Sequence, residues 1–316
     1  MVSRDCHMIG VVEGFLVLAC VVLVGYAIGR VGVLGPSATE VLSRTAFFVA
    51  SPALLFTTLS RADVTAVFSA NLLVTAVTSS LACLLYVPVG RLRRRPAGET
   101  AIGAMASGYV NAGNLGLPVA AYVFGDATVV APVLLFQLAI LTPVFTTVLD
   151  VVSARRNGHR TTWRRTVLAP LRNPLAIASA LGLVVTASGL TVPEVVLAPV
   201  ELLADLAVPA MLLAFGISLS GASRPGRDPD VRVPLVVIVL LKNVIHPLLG
   251  LGFGLLLGLS GTELMAVVVC AALPAAQNVF GYAVRFGHGV TLARDAVAVS
   301  TLLSLPVIFM AVALLA

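Results

Sequence analysis

The chain has 316 residues, 59% of them hydrophobic and 11% charged, with a mean hydropathy of +1.05. Soluble domains carry about 25% charged residues, so this composition excludes an ordinary soluble protein and defines an integral membrane one. The net charge of +6 and pI near 9.6 do not point to nucleic acid, because the basic residues are placed as a topology signal.

Taken in chain order, the hydropathy pattern predicts ten spans, at about 8–30, 38–60, 64–90, 99–124, 127–152, 172–190, 195–220, 232–259, 262–285 and 291–315. The first apolar stretch, Met8 to Val31, is flanked by Arg on both sides and is long enough to cross, so it reads as a span rather than a signal peptide. With the N-terminus outside, Arg30, the run Arg91 to Arg95, Arg155 to Arg172, Arg224, Arg227, Arg232, Arg285 and Arg294 all fall inside. That is sixteen of the twenty basic residues, against Arg4 and Arg61 outside, with Arg44 and Lys242 within spans. The asymmetry predicts a cell-membrane protein with both termini outside.

The polar stretch ARRNGHRTTWRRT divides the chain into a first five-span unit at 1–153, a basic cytoplasmic linker at 154–171 and a second unit at 172–316. Prolines repeat between the units: Pro36 with Pro193, Pro52 with Pro209, Pro118 with Pro274 and Pro143 with Pro306, at offsets of 157, 157, 156 and 163 residues. ASPALLF (50–56) likewise faces AVPAMLL (207–213). Five is odd, so a duplicated second unit enters the membrane inverted. The fold expected is all-α, ten transmembrane helices in two inverted repeats. Gly25 and Gly29, and Gly250, Gly254 and Gly258, have membrane-packing spacing and read as close packing within one protomer.

Two spans are interrupted at corresponding places, by NAGNLGLP (111–118) and by AALPAAQNVFGYA (271–283). Unwound backbone at membrane depth is tolerated only where it lines a cavity, and half-helix N-termini at such breaks favour anions. Asn111, Asn114, Gly116 and Pro118 in the fourth span, and Pro274, Gln277 and Asn278 in the ninth, are the candidate substrate-binding residues. Amide side chains donate and accept without the cost of a buried charge. The alternative is that Gly and Pro only kink these helices.

Within spans, Lys242 and Asp205 fall near mid-depth and form a candidate ion pair, with His246 one turn beyond Lys242; these three are candidate coupling residues. A static bridge or snorkelling is the other reading. Glu13 and Glu201 read as interfacial. Cys6, Cys20, Cys83 and Cys270 are isolated, and His7, His159, His246 and His288 are scattered, so no metal site or disulfide framework is expected. No Walker A motif, G-x-S-x-G or paired Asp cluster is present, so neither an ATPase nor a serine hydrolase nor a prenyltransferase is indicated. An intramembrane enzyme acting on a lipid and an anion channel remain the competing readings. No cofactor is expected.

The chain resembles the auxin efflux carrier family, which includes the plant auxin exporters. NAGNLGLP is similar to the plant pattern N-T-L-V-M-G-I-P at Asn111, Gly116 and Pro118, and Ala271 to Pro274 with Phe280 matches the ninth-helix pattern. SRTAFFVASPALLF in span two and RNPLAIASALG in span six extend the similarity along nearly the whole chain. The resemblance implies that spans 1, 2, 6 and 7 form a scaffold and spans 3–5 and 8–10 a moving transport unit. Helices four and nine cross at their breaks, Asn111 contacts an anionic substrate, and Pro118 defines one break. It implies an elevator-type secondary transporter, uniport or proton-coupled, exporting a small organic anion, with the scaffold helices as the candidate surface for a homodimer. Ala275 to Asn278 depart from the plant Q-G-I-V, and Val279 replaces a second proline, so the pocket wall is more polar and auxin itself is not implied.

Overall fold

The computed structural model describes residues 2–61, 70–125, 127–156, 174–221 and 225–315. From residue 157 onward the expected linker lies outside them. The described residues are helices joined by short turns, with one isolated β-bridge. In chain order they are α1 (Val2–Val31), α2 (Ala38–Ser60), α3 (Ala70–Leu92), α4 (Ala97–Gly108), α5 (Leu117–Phe124), α6 (Ala131–Arg155), α7 (Pro174–Ser188), α8 (Glu194–Ser220), α9 (Pro229–Leu256), α10 (Gly261–Ala272), α11 (Gln277–Phe286) and α12 (Val290–Leu315). Six of these, α2, α3, α6, α8, α9 and α12, are long and apolar enough to cross a membrane. The large hydrophobic side chains exposed on these helices are mostly Leu, Val and Ile, as lipid favours.

Proline positions explain the helices' irregularities. Among the described residues there are four π-helical turns, at Ala46–Ala50, Ala112–Gly116, Gln137–Leu141 and Leu241–Ile245. Each is followed by a proline two residues on: Pro52, Pro118, Pro143 and Pro247. A proline ring clashes with the carbonyl four residues back and offers no N–H. Widening the turn by one residue relieves the clash, and the amide just before the ring then bonds five residues back, as Ser51 does to Ala46, Thr142 to Gln137 and His246 to Leu241. Such bulges leave carbonyls and polar side chains at membrane depth, where sites are commonly built.

The helices α1, α2, α7 and α8 pack on one another. The contact between α1 and α8 is backbone to backbone: a Cβ on Gly216 would overlap the Val22 carbonyl, and one on Gly25 would lie 2.6 Å from the Leu213 carbonyl. Gly29 faces Ser220 in the same seam, and Gly250 and Gly254 face α10. The glycine patterns are thus spent on close approach inside the chain, while Gly258 lies beyond α9 in a positive-φ turn. On the other side, α3 packs against α4, α9 against α10, and α12 against α10 and α11.

At about 1.5 Å per residue, the twelve-residue helices α4 and α10 reach only about 18 Å, short of a ~30 Å hydrocarbon core. Each continues past a break, α4 into α5 and α10 into α11. These breaks position the site.

Candidate functional site

The first break is Tyr109–Asn111, where Tyr109 is extended (φ −86°, ψ 107°). The second is Leu273–Ala276, where Leu273 is extended (φ −56°, ψ 145°), as expected of a residue before proline. The two breaks cross as one antiparallel rung between Val110 and Ala275. The Asn111 amide donates to the Pro274 carbonyl at 2.8 Å, and the Ala276 amide donates to the Tyr109 carbonyl at 3.2 Å. Two amides that this pairing does not use are taken by side chains from neighbouring helices. Gln137 Oε1 on α6 accepts from Val110 N at 2.6 Å, and Ser300 Oγ on α12 accepts from Ala275 N at 3.1 Å. Every one of these groups would otherwise be an unpaired dipole at membrane depth.

The interruption of the fourth span is therefore at 109–111 and not at Pro118. Pro118 follows the π turn at the start of α5, where a missing amide is tolerated. Only Pro274 lies in a break, so the match of Pro118 with Pro274 does not superpose the two crossings. The rung pairs Val110 with Ala275, a spacing of 165 residues.

On one side of the crossing is a cavity of about 320 Å³, at the small end of the ~300–1,000 Å³ range of ligand sites. Its polar lining is Ser51, Thr58, Tyr109, Asn111, Gln137, Asn278 and Tyr282, and among the described residues no charged one lines it. The cavity brings together Asn111 and Asn278 from the two breaks. Asn111 is 3% exposed and its Nδ2 has no hydrogen-bond partner. A buried donor left unpaired costs about 1–3 kcal/mol, so this one marks the place of an acceptor. Ala112 and Gly113, which open the helix running into α5, and Ala276, the residue before α11, also line the cavity. Two helix N-termini, with their partial positive charge, thus meet at an uncharged amide-lined hollow.

The other expected residues are placed differently. Gln277 is buried at the first position of α11 but does not line the cavity. Pro274 contributes its carbonyl to the crossing, and Gly116 lets Leu273 and Val130 approach closely. The side chains of Asn114 and Pro118 are outside those described. Gln137, Tyr109, Tyr282, Ser51 and Ser300 were not anticipated. A lone Gln inside an apolar span was the signal for Gln137; the others carry none, since Ser and Tyr are common in membrane helices.

The expected Lys242–Asp205 pair does not form. Asp205 is exposed at a helix end in α8, whereas Lys242 is fully buried. Lys242 Nζ lies 2.9 Å from His246 Nδ1 and donates to the Ala271 carbonyl at 2.9 Å, in the last turn of α10. A helix C-terminus and an imidazole compensate the lysine in place of a carboxylate. Glu201 is paired with Arg61.

The described residues form an all-helical protein, with six helices fit to cross a membrane and paired helix breaks beside a cavity, the architecture of an integral membrane protein. The sequence matches the family described as Membrane transport protein over residues 11–312, and the chain belongs to that family, the auxin efflux carriers it resembles. It is similar to an "Uncharacterized transporter" of Methanothermobacter thermautotrophicus, 28% identical over 300 residues, covering 94% of this chain and 95% of that one. It is also 28% identical over 269 residues to a "Putative malonate transporter" of Rhizobium meliloti, covering 81% of each. A third relative, the "Uncharacterized transporter YfdV" of Escherichia coli K12, is 23% identical over 294 residues, covering 91% of this chain and 92% of that one.

Proposed function

We propose that the protein is a secondary carrier of small organic anions, with short carboxylates as the substrate class. The observation that supports this most is the orphan Asn111 Nδ2 in a small cavity where two helix N-termini converge. These donors are neutral, so they hold an anion without trapping it, as a carrier that must release its cargo requires. The name of the Rhizobium meliloti relative makes malonate the first compound to try.

In this reading the chain has ten spans in two inverted five-helix repeats, 1–153 and 172–316, with both termini outside the cell membrane. The helices α1, α2, α7 and α8 are the scaffold, and the crossing breaks move with the remaining helices as a rigid elevator. The cavity lies between the two groups, lined by Ser51, Leu54 and Thr58 of α2 and Val208 of α8 on one wall and the crossing on the other. Substrate therefore sits at the sliding interface.

The test is reconstitution in liposomes with solid-supported-membrane currents across mono- and dicarboxylates, including malonate and indole acetate. Saturable currents abolished by Asn111→Ala support the carrier. Currents that rise without saturation indicate a channel; where currents are silent, uptake of labelled malonate decides between electroneutral transport and none, and its absence with folded protein removes the anion reading.

A further inference from the structure

A second polar cluster lies outside the lining of the substrate cavity. Lys242 is 0% and His246 1% exposed, and their nitrogens are 2.9 Å apart. His246 Nε2 lies 3.4 Å from Ser79 Oγ of α3. Beside them is a void of about 10 Å³, lined by Thr75, Thr78, Ser79, His246, Cys270 and Val110. This is about the smallest space that admits one water, and it is rich in polar partners for one. Val110 also lines the substrate cavity, so one residue of the break is shared by the two linings.

No carboxylate pairs with Lys242 among the described residues. The titratable groups facing it are His246 on its own helix, Cys83 on α3 and Cys270 on α10. The acids of the helices packed around it lie at helix starts: Glu99 of α4 is held by Arg95, Asp295 of α12 is held by Arg294, and Glu263 of α10 is exposed. Lysine and histidine thus form an isolated two-base pair. Either an ammonium donates to a neutral imidazole, or an imidazolium donates to a neutral amine. Both arrangements hold one proton and one positive charge. Loss of that proton leaves two neutral groups that still hydrogen-bond to each other and to the Ala271 carbonyl, so neither state strands a dipole.

We propose that Lys242 and His246 form a single-proton site that loads together with the anion, making the protein an anion–proton symporter. The inference rests on the anion-carrier reading. An anion at Asn111 and a proton at the pair are opposite charges in two hollows that share Val110 of the crossing, in a medium that screens weakly, so each raises the affinity for the other. Empty, the pair sheds its proton through the Ser79 and Thr75 void and the moving helices return uncharged. Net movement of the anion then follows the proton gradient, inward wherever protons flow inward, opposite to the export that the family resemblance implies.

The test uses proteoliposomes with a lumenal pH dye and labelled malonate. In the wild type, malonate should accumulate above equilibrium when the outside is made acidic, with lumenal acidification, and the unsaturated influx should rise by up to about tenfold per pH unit, the limit for one proton. His246→Gln and Lys242→Met should retain malonate–malonate counterflow at a weaker malonate affinity yet lose accumulation and the pH dependence, whereas Asn111→Ala should lose counterflow as well. The histidine variant serves where the lysine variant does not fold. Wild-type counterflow that a pH gradient neither drives nor accelerates overturns the proton site and leaves the carrier standing. Absence of counterflow with every carboxylate tried overturns the carrier reading and this inference with it.

Discussion

Val110 and Ala275 face each other as the single rung where the two broken helices cross, and each has its amide taken by a side chain of another helix, Gln137 for the first and Ser300 for the second. The crossing is held by four hydrogen bonds, two between the breaks and two from side chains. Gln137→Leu leaves the Val110 amide unpaired in a buried site, at a cost of about 1–3 kcal/mol. The expected outcome is a lower melting temperature in detergent and loss of transport. Gln137→Glu keeps an acceptor and should recover most of the stability. Equal melting of the leucine variant and the wild type would show that the crossing does not depend on this bond.

Asn111 should tolerate shape better than charge. Asn111→Ala removes a donor to an ionised ligand, typically worth about 1.5–3 kcal/mol, or roughly 10- to 150-fold in affinity. Asn111→Asp keeps the shape and adds a negative charge, whose repulsion at ~4 Å is about 4 kcal/mol at an effective dielectric of 20. The aspartate variant should therefore bind malonate more weakly than the alanine variant in a titration of proteoliposome currents. The reverse order would exclude direct contact with an anion.

Arg285 of α11 stacks its guanidinium 4.5 Å from the Phe48 ring centre and 5.4 Å from that of Phe47, both on α2. Phe47 also meets Tyr282 and Phe286 edge-on at 5.9 and 5.6 Å. This cluster ties a proposed moving helix to a proposed fixed one beside the cavity that Tyr282 lines, at its cytoplasmic end in the proposed topology. Arg285→Gln removes cation–π attraction of about 0.5–2 kcal/mol, and should shift the conformational balance by roughly 2- to 30-fold. A cysteine placed at Ser51 in a cysteine-free background should then react faster with a membrane-impermeant maleimide from the cytoplasmic side. Unchanged labelling would mean that the cluster is not a gate.

Asp205 is exposed and has no contact with Lys242, so Asp205→Asn should leave transport within about twofold of wild type, the effect of a surface change of up to ~0.5 kcal/mol. Gly216→Val, by contrast, should destabilise by about 1–3 kcal/mol or more, because the new side chain enters the α1 backbone at Val22. Thermal denaturation and uptake per folded molecule separate the two. A stable Gly216→Val protein would contradict the close α1–α8 seam.

Much of the architecture was legible in the chain because it depends on local physics. Long apolar runs predict membrane helices since unsatisfied backbone dipoles are costly in lipid, and amides beside glycine and proline mark where a helix opens. Asn111 and Asn278, read from that pattern, face the same cavity. Pro118 misled because proline has two uses in a helix. It can end one, as Pro274 does, or ride behind a π turn, as Pro52, Pro118, Pro143 and Pro247 do, and the difference lies in whether the neighbouring turn can widen.

What no local rule could supply is which distant groups meet. Gln137 is 27 residues from the amide it accepts from, and Ser300 is 25 from its own; both pairings exist only after the helices have packed. The same holds for Lys242. Composition and depth required it to be compensated, since a buried cation without partners is costly, and a carboxylate was the natural partner to expect in a linear reading. Packing chose the Ala271 carbonyl and His246 instead. A one-dimensional pattern specifies what each segment needs, namely lipid-facing surface, satisfied backbone and compensated charge, while the tertiary arrangement decides which neighbour meets the need.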